Sequence, residues 1–266
     1  MDFRTEVKIE KVGFEIQPSQ RLLFVGSCFA DNLGKRFVEN RFQAIVNPYG
    51  VMYNPTSIFH TVEKYLKDGH ADVAVFTLGT NHVYILKETG EVVDNCQKRP
   101  QKLFEEKELT VGECVVELSK SVWALLDKGI KHIIVTVSPI RYAKYGFHGS
   151  QLSKSTLLLA ADILCQRFPE LVSYFPAYEI VNDELRDYRF YQEDMLHPSE
   201  QAVEYIWQKF RGAYFGKTAE QFLADWKPIK EALGHKPFNP DSEETKRFQA
   251  RTEERKKQFE EKYFKQ

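Results

Sequence analysis

The sequence predicts an α/β fold built around a mostly parallel sheet, and three observations carry that expectation. Short apolar runs of strand type alternate with longer stretches of helical spacing from residue 21 to about residue 210. Two of these runs, residues 73–78 and 133–137, are apolar almost throughout, as strands covered on both faces must be. The first four runs also stop close to Gly, Pro or Asn, residues that turn a chain.

Taken in order, residues 1–20 are polar, with one alternating stretch at 7–9 that reads as an edge strand. Leu22 to Val25 is the first strand, halted by Gly26, and Leu33, Phe37 and Val38 follow at helical spacing. Residues 42–46 form a second strand, ended by Asn47-Pro48-Tyr49-Gly50, and Ile58, Val62, Tyr65 and Leu66 mark a second helix. The third strand, 73–78, runs into Gly79-Thr80-Asn81. Alternating residues at 83–86 and 91–93 flank Glu88-Thr89-Gly90, the pattern of a hairpin. Val115, Leu118, Val122, Leu125 and Leu126 line one face of a helix over about 112–128. The fourth strand, 133–137, closes at Ser138-Pro139. A loop rich in Tyr, Gly and His at 142–149 leads to a helix over 153–168, and 172–175 is a fifth strand. Asp194-Met195-Leu196-His197-Pro198 precedes a helix from Ser199 to about Phe210. Beyond residue 216 Glu, Lys and Arg take over, above a thin apolar stripe of Phe248, Phe259 and Tyr263. The chain therefore divides into a domain over 1–216 and a charged helical extension over 217–266, whose solvated character makes it dispensable for chemistry.

Composition narrows the function. With 266 residues, 42% of them hydrophobic, the chain can bury one good core. A formal net charge of −1 leaves no basic excess for nucleic acid. No stretch approaches the roughly 20 apolar residues that cross a membrane, and the charged N-terminus lacks a signal peptide's apolar region. Cys28, Cys96, Cys114 and Cys165 are scattered, as free thiols in a reducing cytoplasm would be. No cofactor or metal is expected. Residues 212–218 miss a phosphate loop by one residue and follow a helix, and neither a Gly-x-Gly-x-x-Gly nor a His-Glu-x-x-His pattern occurs. His60, His70, His132 and His235 read as surface or structural residues, whereas His82 and His148 adjoin strand-end loops.

What remains is a set of polar residues at strand ends. In a parallel sheet these ends open on one edge, so Ser27, Gly50, Asn81, Asp194 and His197 converge. Ser27 sits at the apex of a strand–Gly–Ser–helix turn, where it serves as the helix cap or exposes its hydroxyl as a nucleophile. His197 has the unperturbed basicity to take the hydroxyl proton, and Asp194, three residues earlier, can accept the imidazole N–H and fix its tautomer. The Ser27 and Gly50 N–H groups and the Asn81 amide fit an oxyanion hole. Tyr49, Tyr53, His82, Tyr84, Phe147 and His148 are candidates to line a substrate pocket. Cys28 is the rival nucleophile. The turn is expected to bury it beside Phe29 as a small hydrophobe, leaving Ser27 to address His197.

These residues resemble the block order of the SGNH (GDSL-like) hydrolases. Gly79-Thr80-Asn81 is similar to their Gly-x-Asn block and Asp194-Met195-Leu196-His197 to their Asp-x-x-His block. Gly26-Ser27-Cys28-Phe29-Ala30 is the signature of the GSCFA family within that group. Asn47-Pro48-Tyr49-Gly50, Ser138-Pro139 and Ser153-Lys154-Ser155 resemble further parts of its pattern. The resemblance covers roughly residues 21–213. It implies a flavodoxin-like three-layer α/β/α sandwich and an ester-hydrolase catalytic set. The chain departs from the wider group in lacking the aspartate of its Gly-Asp-Ser block and in carrying His82 where an Asp often follows the block asparagine.

The function expected is a serine hydrolase of carboxylic esters, with a small-molecule or carbohydrate ester, such as an O-acetylated sugar, as substrate. An acyltransferase using the same acyl-enzyme is one alternative. A non-catalytic binding protein on the same fold is the other.

Overall fold

The computed structural model describes residues 5–94 and 99–264. The chain runs through β1 (Arg21–Gly26), α1 (Cys28–Glu39), β2 (Gln43–Val46), α2 (Pro55–Tyr65) and β3 (Val73–Leu78). An excursion of β4 (His82–Leu86), β5 (Val92–Val93) and β6 (Phe104–Glu108) follows. Then come α3 (Val111–Leu126), β7 (His132–Val137), α4 (Gly146–Arg167), β8 (Val172–Tyr174) and a short α5 (Ala177–Glu179) that widens into a π-helical turn over Ile180–Leu185. The chain closes with α6 (Glu200–Tyr214), α7 (Lys217–Gly234) and α8 (Glu243–Phe264).

Five strands pair in parallel in the order β2-β1-β3-β7-β8. Counted along the chain this is the second, first, third, fourth and fifth strand, the flavodoxin-like order. Its direction of winding reverses between β1 and β3, which opens a crevice at their carboxyl ends. The strand side chains alternate between two cores. Leu22, Phe24, Val73, Val75 and Ile134 face a layer made by α1, α6 and α7. Leu23, Val25, Ala74, Phe76, Ile133 and Val135 face α2, α3 and α4. Helix α1 joins the first core through Phe29, Leu33 and Phe37, spaced four apart, so all lie on one face. Phe37 is the hub of this core. Phe24, Phe42, Trp207, Phe210 and Phe215 surround its ring at centroid distances of 4.9–5.8 Å. Val38, on the opposite side, is exposed.

Four local expectations need correction. Residues 7–9 form no strand: the Val7 N–H donates to the Glu184 carboxylate at 3.0 Å, and the only bridge among the described residues of the lead-in joins Ile16 to Phe215. The predicted hairpin gains a third strand, β6, antiparallel to β4; its sequence Phe-Glu-Glu-Lys-Glu shows no apolar alternation because it lies at the sheet's exposed margin. Helix α4 starts seven residues early, inside the segment read as a loop, at Gly146 with φ +68°. His132 is buried, not superficial. Its ring stacks on Phe14 at 4.5 Å, its Nε2 meets the Ser173 hydroxyl at 2.8 Å, and burial pushes its pKa down to about 4.

The C-terminal extension is not wholly solvated either. Helix α7 buries Phe222, Leu223, Trp226 and Ile229, and the Trp226 indole donates to the Glu39 carbonyl at 3.0 Å. Phe259 of α8 packs on both Phe222 and Trp226. Cys28, Cys114 and Cys165 are free thiols, and Cys96 lies outside the described residues. Among the described residues no helix is long and apolar enough to cross a membrane.

Candidate active site

Hydrogen bonds lace the loops at the carboxyl edge of the sheet into one floor. The Ser27 N–H donates to the Thr77 carbonyl (3.0 Å), the Met52 N–H to Gly26 (2.8 Å), and the Gly79 and Thr80 N–H groups to Tyr53 (2.9 and 2.8 Å). The Ser138 N–H donates to Leu78 (2.8 Å), and the Arg141 N–H to Leu196 (3.0 Å), which brings in the loop holding Asp194 and His197. Gly26 permits the first of these contacts. It sits at φ +147°, and a Cβ there would stand 2.3 Å from the Thr77 carbonyl oxygen.

The turn after Gly26 treats its two candidate nucleophiles unlike the expectation. Ser27 is fully buried. Its Oγ caps α1 by accepting the Phe29 N–H at 3.2 Å and shares a 3.1 Å hydrogen bond with the Thr77 hydroxyl. The helix-cap reading of Ser27 therefore describes its geometry, and its hydroxyl is not exposed. Cys28 is half-buried, not packed away: its Sγ lies 3.5 Å from the Tyr53 hydroxyl. As the first residue of α1, it has a backbone N–H beyond the reach of intrahelical acceptors.

The three expected oxyanion donors are committed elsewhere. The Ser27 N–H is held by Thr77, and the Gly50 N–H closes a turn onto Asn47 at 2.9 Å. The Asn81 amide donates to the Leu109 carbonyl at 2.8 Å, in a residue only 4% exposed. Only the Gly50 partner is local; the Ser27 N–H and the Asn81 amide satisfy buried backbone carbonyls of distant elements.

Asp194 and His197 do meet. One Asp194 oxygen accepts the Leu196 and His197 N–H groups (2.9 and 3.0 Å), and the other lies 2.5 Å from His197 Nδ1. The His197 N–H, followed by that of Leu196 and by the imidazole, holds the carboxyl down to about 2. Nδ1 is thereby fixed as the donor, and Nε2 has no protein partner among the described residues.

The aromatic candidates divide. Tyr53 belongs to the floor beside Cys28. Tyr49, on the same loop, lies under the Lys64 ammonium at 4.0 Å, and the exposed Phe147 under the Arg141 guanidinium at 4.2 Å. His148 is exposed on the first turn of α4. His82 is buried and stacks on Tyr145 at 3.7 Å; burial pushes its pKa down. Tyr84 joins Tyr145, Lys144 and Glu106 in a polar cluster. Sequence reasoning missed two residues of the floor. The Tyr142 hydroxyl is buried without a hydrogen-bond partner and its ring meets Tyr53 edge-on at 5.9 Å. Lys154 is 2% exposed. Its only sequence signal was its place in Ser153-Lys154-Ser155. No cluster of three His, Cys, Asp or Glu side chains among the described residues is arranged to hold a metal ion.

The family model described as "GSCFA family" matches residues 21–71 and 62–210, and that of "GSCFA domain protein, C-terminal domain" matches residues 226–265. The chain belongs to the GSCFA family. No curated protein matches its sequence. Among solved structures, it resembles a Bacteroides fragilis NCTC 9343 protein provisionally described as an acylhydrolase. That match has 10% identity and a TM-score of 0.51, and covers 79% of this chain and 91% of the other. A variant of Axe2, an acetyl-xylooligosaccharide esterase from Geobacillus Stearmophilus, matches at 13% identity and a TM-score of 0.49, over 75% of this chain and 96% of the other. A lipolytic G-D-S-L family protein from Veillonella parvula DSM 2008 matches at 12% identity and a TM-score of 0.47, over 73% and 97%. At these identities the likeness concerns the fold alone, an α/β fold with a mostly parallel central sheet.

Proposed function

We propose that this GSCFA protein hydrolyses carboxylic esters through a thioester on Cys28, with His197 as base and Asp194 as its orienter. The observation that carries the reading is that an oriented imidazole and a half-exposed thiol both stand on loops of the same laced edge, while Ser27 is buried and doubly hydrogen-bonded. His197 Nε2 takes the thiol proton, and the thiolate attacks the ester carbonyl. Collapse of the tetrahedral intermediate expels the alcohol, which leaves with the proton from His197. Water, deprotonated by the same nitrogen, then cleaves the thioester and releases the carboxylic acid. The Cys28 N–H and the Tyr53 and Tyr142 hydroxyls are the donors left to meet the oxyanion. Burial raises both phenols, so they remain neutral donors. Tyr49, Tyr53 and Phe147 offer exposed rings to a carbohydrate bearing an O-acetyl group.

Paired substitutions test the reading, assayed with p-nitrophenyl acetate and an acetylated xylo-oligosaccharide. Cys28→Ala should lower kcat/KM by about 1,000-fold or more, whereas Ser27→Ala should keep most activity and lose about 1 kcal/mol of stability with the helix cap. The reverse pattern, with fluorophosphonate labelling at Ser27, would restore the serine as nucleophile. A well-folded protein inert towards both esters would overturn the hydrolase reading itself.

A further inference from the structure

Burying an ammonium strips its hydration at a cost of several kcal/mol, and proteins usually repay this with a carboxylate. Lys154 has none: no carboxylate among the described residues pairs with it. Its Nζ donates instead to the carbonyls of Gly79 and Ser138, each at 2.8 Å, and lies 5.2 Å from the centroid of the Tyr142 ring. Those carbonyls belong to the first residues beyond β3 and β7, the two central loops of the floor. From Gly79 the contacts lead directly to Cys28. Its N–H donates to Tyr53, a Cβ on it would stand 2.8 Å from the Tyr142 hydroxyl, and the Tyr53 hydroxyl lies 3.5 Å from Cys28 Sγ. Ser153 on the same helix bonds the Thr80 hydroxyl (3.0 Å) and the Asn81 N–H (3.1 Å), and Ser150 accepts the Tyr142 N–H (3.2 Å).

We propose that Lys154 is a positioning residue of this site. Its buried positive charge holds the two central loops and, through the Tyr142–Tyr53 floor, favours negative charge on the Cys28 sulfur. The proposal rests on the reading of Cys28 as the reactive group. Among the described residues, the groups that interact with the floor above the ammonium are Tyr142 from the loop after β7, Tyr53 from the loop after β2, and Cys28 and Asp31 from α1; the proposed base adds the His197 imidazole with its Asp194 carboxylate. Asp31 accepts a hydrogen bond from the Asn47 amide at 2.7 Å. Desolvation pushes the Lys154 ammonium down to about 7, so the charge is present below neutrality and withdrawn above it.

The experiment measures alkylation of Cys28 by iodoacetamide, read on its peptide by mass spectrometry, across pH 6–10. At pH 6.5, Lys154→Met should slow alkylation about tenfold or more, since a nearby charge commonly shifts a titration by one to three pH units. Near pH 10 the rates of variant and wild type should converge, because the wild type has by then lost the Lys154 charge that the variant lacks at every pH. Lys154→Arg should keep the rate at pH 6.5. Lys154→Gln, which retains N–H donors without charge, replaces the methionine variant if that one does not fold. Equal rates at pH 6.5, or an equal slowing at every pH as a misplaced loop would give, overturns the proposal. Alkylation is read without an ester, so this outcome stays separate from that of the hydrolase reading.

Discussion

Replacing Gly26 with alanine should cost far more than replacing Gly50, although both glycines have positive φ. At Gly26, φ is +147°, and the new Cβ would meet the Thr77 carbonyl oxygen at 2.3 Å, Oγ1 at 2.5 Å and the amide nitrogen at 2.8 Å. Two of these are backbone atoms of β3, pinned between β1 and β7, so nothing cheap can move. Conformational strain of about 1–3 kcal/mol and overpacking of about 1–3 kcal/mol combine to roughly 2–6 kcal/mol. At Gly50, φ is +97° but nothing lies within 4 Å of a Cβ, which leaves strain alone, about 1 kcal/mol. Urea denaturation followed by circular dichroism separates the two: Gly26→Ala should lower the midpoint by about 1 M or more. If both variants lost the same stability, the close approach of β1 to β3 would not be what requires glycine at position 26.

Further outcomes follow from the same geometry. Asp194→Asn should reduce kcat/KM toward acetyl esters by about 1,000-fold or more with little change in the urea midpoint, because the amide cannot both accept the backbone N–H groups and hold the imidazole tautomer. His132 binds its proton in the unfolded chain near pH 6.5 but in the folded one only near 4. Stability should therefore fall as pH drops from about 6.5 to 4, by at most about 3 kcal/mol, and His132→Phe should remove that part of the slope in urea titrations at pH 7 and 4.5. Trp226→Ala should lose about 3–5 kcal/mol, and truncation after residue 216 should yield aggregating or poorly folded protein by gel filtration, since both uncover the core.

The fold was legible because its signals are redundant. Residues 73–78 and 133–137 are apolar on both faces, a pattern only a covered strand tolerates, and turn residues bracket them. β6 was not, because an exposed strand of Glu and Lys has no periodicity that differs from a loop. The Asp194–His197 contact was readable for a local reason: three residues of separation fix it within one turn. Which side chain of Gly26-Ser27-Cys28 faces the crevice was not readable. That depends on Thr77, fifty residues away, whose hydroxyl draws Ser27 inward. Lys154 escaped notice for a similar reason, since a lysine in a helix reads as solvent-facing until the loops that bury it are in place.

The aromatic hub around Phe37 has a consequence for how the chain is made. Its ring is enclosed by Phe24 and Phe42, which are near in sequence, but also by Trp207, Phe210 and Phe215. A ribosome must add about 180 residues between Phe37 and Phe215, roughly 10–35 s at ordinary elongation rates. Through that interval one face of the growing sheet stands bare, with Phe29, Leu33 and Phe37 uncovered, while α2, α3 and α4 emerge in turn to cover the other. The nascent protein is thus two-faced, finished on one side long before the other. Its yield in a cell depends on whatever shelters the apolar side of α1 until α6 arrives.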